Sequence, residues 1–537
     1  MKKGFATVFQ YRTVMCLICF CVLLLLGFVR VICICTDVRA TSVTANRVTV
    51  ELSSGRGNIY DCKGKKLTSV KDCYAVVFLP CEQAMLCFAE ETEGEQRETG
   101  LARLRNKKPV VIRREEKITG VGIYSFPVSE RYGEIYGLEH LIGYVNAENR
   151  GVTGLEKEYD ELLYSDSGYS AAFSVDASGN FLLGDPPETI GQASVGAVYL
   201  TIDKELQQIC YEAAQKLEKG AVVLTEISSG KIRAMVSRPG FEISRVSDYM
   251  EDANAPLINR ALRAYSVGSV FKPLVAAALL ETGQSGYCYR CTGYCDILSI
   301  RFYCNHRDGH GDMDLKTALA KSCNTYFYNA AGQVKPSALN DLAAAFGFTG
   351  PVRLTDGIAA DRGSMTDLKT LERSKAAVAN FAIGQGNIAL SPLVLCNMYA
   401  AIANDGAYYA PTLIEGLFQK ERYEPAKQGD KNVVISSASA AVLKEDLIGV
   451  VEQGTGSAAK PSAFGAGGKT ATAQTGQLKK DGTEVLNAWF CGFFPADQPE
   501  YVLTVLAEDA SAGGSDAAPI FREIADVINA LQREKES

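Results

Sequence analysis

The sequence predicts an α+β protein: a mixed helix-and-strand catalytic domain over residues 196–537, a strand-rich stalk before it, and one membrane-spanning helix at the start. Three observations carry this. An uncharged run, Thr13 to Val29, lies near the N-terminus. Short alternating segments between turns fill Arg47 to about Leu163. Beyond residue 196, helical and strand-like stretches alternate irregularly and the hairpins come late, the pattern of an α+β domain.

Residues 1–12 read as a cytoplasmic tail, because Lys2, Lys3 and Arg12 mark the side that stays inside. Residues 13–35 read as the anchor. The uncharged run is at the lower limit for spanning a bilayer, and Arg30 can snorkel so that the segment reaches Cys35. The run exceeds a typical signal-peptide core, so a retained anchor is favoured over cleavage at the small residues Ala40 to Ala45. Residues 36–537 are then expected outside the plasma membrane.

Residues 36–195 read as a stalk or pedestal. The segments RVTVEL, YAVVFL and KPVVIRRE alternate as strands do and imply no large helical core. Ser165 to Val195, rich in Gly, Ser, Asp and Pro, is a linker or a long hairpin. In the catalytic domain, Val198 to Asp203 is strand-like and Lys204 to Leu217 has helical spacing, with Asp203 as its cap. Gly220 to Ser237 gives two strands about a turn at Ser228-Ser229-Gly230, and Phe271 to Leu280 an apolar helix. Ala466 to Gln474 and Leu486 to Phe494 form a hairpin about Lys479-Lys480-Asp481-Gly482. Tyr501 to Glu508 is a further strand and Pro519 to Leu531 a closing helix.

Composition limits the chemistry. The 55 Lys+Arg against 62 Asp+Glu give a net charge of −7, which argues against nonspecific nucleic-acid binding. Three histidines, His140, His306 and His310, leave little material for a His-based triad or a multi-His metal centre. Reactive groups are therefore sought among Ser, Lys, Asp/Glu and Cys. Beyond the anchor, Cys62, Cys73, Cys81 and Cys87 form one group and Cys288, Cys291, Cys295 and Cys304 another, next to His306 and His310. The second group admits a zinc knuckle, but its spacing fits no standard finger, and an exported loop favours a disulfide or free thiols.

Ser-x-x-Lys occurs three times, at Ser228/Lys231, Ser269/Lys272 and Ser457/Lys460, so context decides. Gly268-Ser269-Val270-Phe271-Lys272-Pro273 opens the apolar helix. Residues i and i+3 share a face there, which sets the Lys272 amine beside the Ser269 hydroxyl. Burial and the helix N-terminus disfavour the ammonium, leaving neutral amine able to take the serine proton. Taken alone, the pair reads as a serine cap followed by an exposed lysine one turn on. Ser322-Cys323-Asn324 comes next, within a helical stretch, Leu315 to Tyr328. Gly467-Gly468-Lys469-Thr470-Ala471-Thr472-Ala473 lies later on a strand, where a lysine and hydroxyls among small residues suit a carboxylate. Order, spacing and setting together make the signal.

With these three motifs the chain resembles the penicillin-binding transpeptidases, specifically the monofunctional class B proteins, over nearly its whole length. In the stalk, Arg56-Gly57-Asn58-Ile59-Tyr60-Asp61 and Gly151 to Glu156 (GVTGLE) with Tyr159 look like that family's boxes. Further likenesses are Leu200-Thr201-Ile202-Asp203 with Gln207, Asn259-Arg260-Ala261, His310-Gly311, Gly384-Gln385-Gly386 with Ser391-Pro392, and Trp489 to Pro495 (WFCGFFP). The resemblance implies a serine β-lactamase-like domain with an antiparallel sheet flanked by helices. It implies Ser269 as the acylated nucleophile, Lys272 as general base, Ser322 as proton relay, and Asn324 as holder of Lys272 and the substrate amide. Lys469 and Thr470 would bind the substrate's terminal carboxylate, and the backbone N–H groups of Ser269 and Thr472 the oxyanion. Gly384, Gln385 and Gly386 would shape the acceptor side.

Two departures stand out. Ala471 occupies the third place of the usual Lys-Thr-Gly, where a methyl is expected to crowd the strand beside the substrate, and Cys62 stands where the stalk box commonly has Arg. Many relatives carry a Cys pair between the first two motifs. Cys291 and Cys304 match its setting, so the resemblance implies a disulfide there rather than a metal.

The expected function is a D,D-transpeptidase that cross-links peptidoglycan stem peptides and is acylated by β-lactams, with no cofactor. By resemblance its partner is a polytopic glycan polymerase of the elongation, division or sporulation type. Hydrolytic rivals, a carboxypeptidase or serine β-lactamase, usually lack the stalk. A bifunctional synthase would show a glycosyltransferase motif before the stalk, and none is present. A β-lactam sensor would carry further spanning helices, and an inactive scaffold would have lost a catalytic residue.

Overall fold

The computed structural model describes residues 2–37, 46–133, 135–191, 196–479 and 481–536. The small residues Ala40 to Ala45, the end of the expected linker at 192–195, and Lys480 of the hairpin turn lie outside the described residues. The chain divides into two compact units, one within Met1–Gly55, Asp72–Ser129 and Ser167–Ala193, the other within Arg56–Lys71, Glu130–Asp166 and Ser194–Ser537.

The first unit begins with the helix Lys2–Asp37. Its Val14–Cys33 span is 20 residues long, apolar enough to cross a membrane, and buried nowhere against protein. Its strands form two three-stranded sheets. Lys71–Phe78 runs centrally between Val110–Arg114 and Ile123–Glu130, and Asn46–Arg56 pairs with Tyr164–Val175, which turns back onto Glu188–Ile190. The described part of the Ser165 to Val195 segment, residues 165–191, is thus a long hairpin. The strand-rich first unit also carries a helix pair that the sequence reading did not identify, Glu82–Glu91 and Gly94–Arg105. Each buries only a narrow stripe (Ala84 and Phe88, then Gly100 and Leu104), too thin to read as a core helix from sequence. Phe88 packs edge-on against Phe78, and a side chain at Gly100 would collide with the Phe88 ring.

In the second unit, the two stalk boxes meet in a buried ion network. The Glu156 carboxylate, fully buried, accepts from Arg56 Nε at 2.7 Å, from Arg131 Nε at 2.6 Å and Nη2 at 2.9 Å, and from Tyr132 OH at 3.1 Å. Arg56 also binds Asp160 at 2.7 Å and the backbone oxygens of Asn149 and Glu156. Asp61 accepts from the N–H groups of Lys63, Lys65 and Lys204. These motifs are conformational clamps: each buried charge is paired or hydrogen-bonded, which is the condition for keeping it out of water.

The catalytic domain is built on a five-stranded antiparallel sheet. Its elements in chain order are α1 (Lys204–Ala214), β1 (Gly220–Glu226), β2 (Ile232–Arg238), α2 (Lys272–Glu281), α3 (Asn324–Ala331), α4 (Pro392–Ala403), α5 (Ser437–Gln453), β3 (Gly467–Leu478), β4 (Glu484–Phe494), β5 (Tyr501–Ala507) and α6 (Ala518–Glu536). The sheet order is β2-β1-β5-β4-β3. Asp203 caps α1, accepting from Glu205 N as the sequence predicts. Strand alternation sends Val222, Leu224, Phe490, Phe494, Leu503 and Val505 to one face, where α1 and α6 cover them. Ala221, Val223, Trp489, Cys491, Phe493 and Leu506 point to the other face and the main core, with α2 to α5. Helix α2 buries every residue from Lys272 to Leu279, which explains its all-round apolar sequence.

Candidate active site

The sequence brings Ser269 and Lys272 to the entrance of α2. Ser269 sits half-buried in a 3-10 turn, Gly268–Phe271, just ahead of the helix rather than in its first turn. Four contacts fix that turn. Gly268 N donates to Gly384 O at 3.0 Å, Tyr399 OH on α4 donates to Val270 O at 2.9 Å, and Trp489 Nε1 on β4 donates to Ser266 O at 2.9 Å. Gly268, at φ +61°, lies against Ala473 of β3, where a Cβ would come within 3.1 Å of the alanine methyl. Gly384 is required twice over: its φ is +70°, and a Cβ there would meet Gly268 O at 2.2 Å. The Gly384-Gln385-Gly386 loop thus packs directly on the turn that carries Ser269.

Lys272 is fully buried. Its amine donates to Ser322 O at 2.7 Å, Ser322 Oγ at 3.1 Å and Asn324 Oδ1 at 2.7 Å, so the lysine of the first motif meets both polar residues of the second. Burial pushes its pKa down to about 7, with the Cys323 and Cys304 thiols pulling the other way. In the neutral state the amine has only two hydrogens, and Ser322 Oγ then turns its own hydrogen toward Nζ. A lysine and a serine so placed can pass a proton between them.

The expected single helix from Leu315 to Tyr328 is corrected to two, Leu315–Ala320 and α3, broken at Ser322. Ser322 adopts φ +53°, an uncommon conformation for a residue with a side chain, and it turns both Ser322 O and Oγ onto Lys272. Helical periodicity runs on through LKTALAKSCNTYFY, so nothing in the sequence marks the break.

On β3, Lys469 is fully buried and donates to Thr470 O at 3.1 Å and Thr455 Oγ1 at 3.4 Å. Burial, then the charge of Lys272, holds its pKa well below the usual lysine value. Thr470 and Thr455 hydroxyls lie 3.2 Å apart, and Thr472 Oγ1 accepts from Gly513 N at 3.2 Å. The sequence motifs do not include Thr455; its signal is the flanking pair of glycines in Gly454-Thr455-Gly456. The Ala471 methyl is 3 % exposed, opposite Trp489 in the ladder and on the same strand face as Lys469 and Ala473. It belongs to the core packing. Among the described residues β3 pairs with β4 alone, leaving a free strand edge beside the Ser269 turn.

Cys291 and Cys304 stand here as thiols, not joined in the disulfide that the resemblance implies. Each sulfur faces His310 Nδ1, at 3.7 and 3.5 Å, and the Cys304 sulfur lies 3.8 Å from that of Cys323. The bond from Cys323 is the foremost cause holding the Cys304 thiol below its ordinary range and Cys323 above it. The rings of His306 and His310 lie 5.1 Å apart, tilted by 39°.

Comparison with known proteins bears on the family and the fold. The profile of the penicillin binding protein transpeptidase domain matches residues 220–526. The peptidoglycan D,D-transpeptidase MrdA of Acinetobacter baumannii is 28% identical over 444 residues, covering 73% of this chain and 65% of its own length. The MrdA of Haemophilus influenzae is 26% identical over 576 residues, covering 91% of this chain and 86% of its own. The crystal structure of penicillin binding protein 3 from Mycobacterium tuberculosis has the same fold, with a TM-score of 0.66 at 22% identity over 91% of this chain and 97% of that one. The profile spans more than half of the residues, and the chain belongs to the penicillin-binding protein transpeptidase family.

Proposed function

We propose that this protein is a peptidoglycan D,D-transpeptidase working through a serine acyl-enzyme. The observation that carries the proposal is the dry Lys272 amine, its pKa pushed down to about 7, one turn from Ser269 and bound to Ser322 and Asn324. A stem peptide adds to the free edge of β3, its terminal carboxylate at Lys469 and Thr470. Ser269 Oγ attacks the penultimate D-Ala carbonyl while Lys272 takes its proton. The backbone N–H groups of Ser269 and Thr472 hold the oxyanion, a contribution of about 3 kcal/mol per donor. Collapse breaks the amide, and the proton reaches the departing D-Ala amine through Ser322. The amine of a second stem then takes the acyl group and frees Ser269. A β-lactam acylates the same serine because its strained amide resembles the D-Ala-D-Ala bond. Gly384, Gln385 and Gly386 border the acceptor side.

The Val14–Cys33 helix anchors the chain with residues 36–537 outside the plasma membrane, and the stalk docks a polytopic glycan polymerase. The test is labelling of the purified chain by a fluorescent penicillin, with Ser269→Ala beside it. A covalent label absent from the variant supports the proposal. A label retained by Ser269→Ala overturns it. Persistence of the label for hours, with cross-linked product from paired stem peptides, separates transfer from hydrolysis.

A further inference from the structure

We infer that Tyr399 on α4 is a positioning residue for acyl transfer, its hydroxyl tying down the turn that presents Ser269 and the oxyanion-binding N–H. Resting on the serine acyl-enzyme of the proposed function, this role belongs to none of the three motifs. The turn Gly268–Phe271 has no side-chain cap of its own, so its placement depends on what grips it from outside. Ahead of Ser269 the grip is multiple. Tyr265 and Ser266 pair with Leu390 and Ala389, Trp489 Nε1 donates to Ser266 O at 2.9 Å, and Gly268 N donates to Gly384 O at 3.0 Å. After Ser269, Tyr399 OH donates to Val270 O at 2.9 Å, one residue beyond the nucleophile. Ser269 is thus held from both sides.

The surroundings of Tyr399 make it a fixed post. Every residue of α4 is buried, and Tyr399 completely so. Close by on the same helix, Cys396 Sγ lies 3.4 Å from Thr504 Oγ1 of β5, and Asn397 Nδ2 donates to Phe346 O at 3.1 Å. These contacts pin α4 to the sheet and to a neighbouring helix end. Burial, then the Cys491 thiol, holds the phenol pKa well above its ordinary value, so the hydroxyl keeps its proton and stays a donor. Phenylalanine would fill the same space. A hydroxyl on so apolar a helix costs free energy unless it is bonded, and the bond it makes is to the turn that carries the nucleophile. Small movements of that turn matter, because misplacing the reacting atoms by about 1 Å costs on the order of 100-fold in rate.

The test compares the full-length chain in detergent with Tyr399→Phe and Tyr408→Phe in single-turnover acylation by a fluorescent penicillin. Tyr408 OH donates to Ala345 O at 3.2 Å, a bond that does not involve the serine turn, so Tyr408→Phe is the structural control. Tyr399→Phe should lower the limiting acylation rate about tenfold, with the dissociation constant of the initial complex within about twofold. The pH midpoint set by Lys272 should stay at about 7. The infrared band of the acyl carbonyl should move to higher wavenumber, because a displaced Ser269 N–H polarises that carbonyl less. This band reads the oxyanion site directly, so it discriminates even where a variant is less stable. p-Aminophenylalanine in place of Tyr399 restores a donor and should recover most of the rate, and Tyr408→Phe should acylate as the wild type does. A limiting rate for Tyr399→Phe within about twofold of the wild type overturns the inference. So does an unmoved acyl band, a shifted pH midpoint, p-aminophenylalanine no faster than phenylalanine, or an equal loss of rate in Tyr408→Phe. An unlabelled wild type would fail the acyl-enzyme reading and this inference with it, whereas a loss confined to the Tyr399 variants reports on the turn.

Discussion

Replacing Glu156 by Gln tests whether the buried ion network holds the second unit together. One carboxylate there accepts four hydrogen bonds, three from the guanidinium groups of Arg56 and Arg131 and one from Tyr132. Glutamine keeps one acceptor oxygen and opposes the Arg131 Nε donor with an NH₂ group. Arg56 retains Asp160, while Arg131 keeps its Nη2 bond to the amide oxygen and its bond to Gly57 O but loses its one described charge partner. Removing one partner of a buried pair costs about 3–5 kcal/mol, because the remaining charge stays desolvated. With a urea slope of about 3 kcal/mol/M, the unfolding midpoint should fall by about 1–1.7 M at unchanged slope. Trp489, the single tryptophan of the chain and fully buried in β4, reports this unit by fluorescence. The control is Lys427→Ala, whose partner Asp430 is 80% exposed and whose loss should cost less than about 0.5 kcal/mol. A shift below about 0.3 M for Glu156→Gln, no larger than the control's, would refute the reasoning.

Four further outcomes are expected. Acylation of Ser269 by a penicillin should slow about tenfold per pH unit below pH 7, since protonated Lys272 cannot take the serine proton, and level off above it. In Asn324→Asp the carboxylate placed 2.7 Å from the amine should move that midpoint up by about 1–3 units, with rate recovered at high pH; a midpoint that stays or falls contradicts the assignment of the base. Gly384→Ala should leave the chain folded in denaturant titration yet depress acylation more than tenfold, because the new methyl pushes on Gly268 O. Ala471→Gly should lower stability by about 1–2 kcal/mol in urea, the sum of a buried methyl and added backbone freedom, which a neutral result would contradict.

The parts of the site that were legible in the sequence are those carried by local chemistry. Gly268 before Ser269 and Pro273 after Lys272 mark a turn entering a helix, and the polar turn at 479–482 pins Lys469 on a hairpin. What stayed hidden depends on long-range packing. The left-handed Ser322 breaks a helix that every local preference would continue. The helices after Glu82 bury two residues each, so their amphipathic signal is faint. Arg56 and Glu156 read as stalk, yet they pack in the unit that holds the active site, a grouping fixed by ion pairing across a hundred residues. Thr455 and Cys323 gain their neighbours only when β3 and the loop from Cys291 to His310 close over them.

The sheet order has a consequence for when this sheet is completed during synthesis. Strand β5 lies between β1 and β4, so Gly220 pairs with Ala507 and Glu226 with Tyr501. The early strands β1 and β2 and the late strands β3 and β4 share one sheet only after β5 has come to lie between β1 and β4. Closing so long a loop is slow relative to local helix formation. A nascent chain therefore carries Ser269 and Lys272 through the synthesis of the stretch up to Tyr501–Ala507 without the complete sheet that supports Lys469.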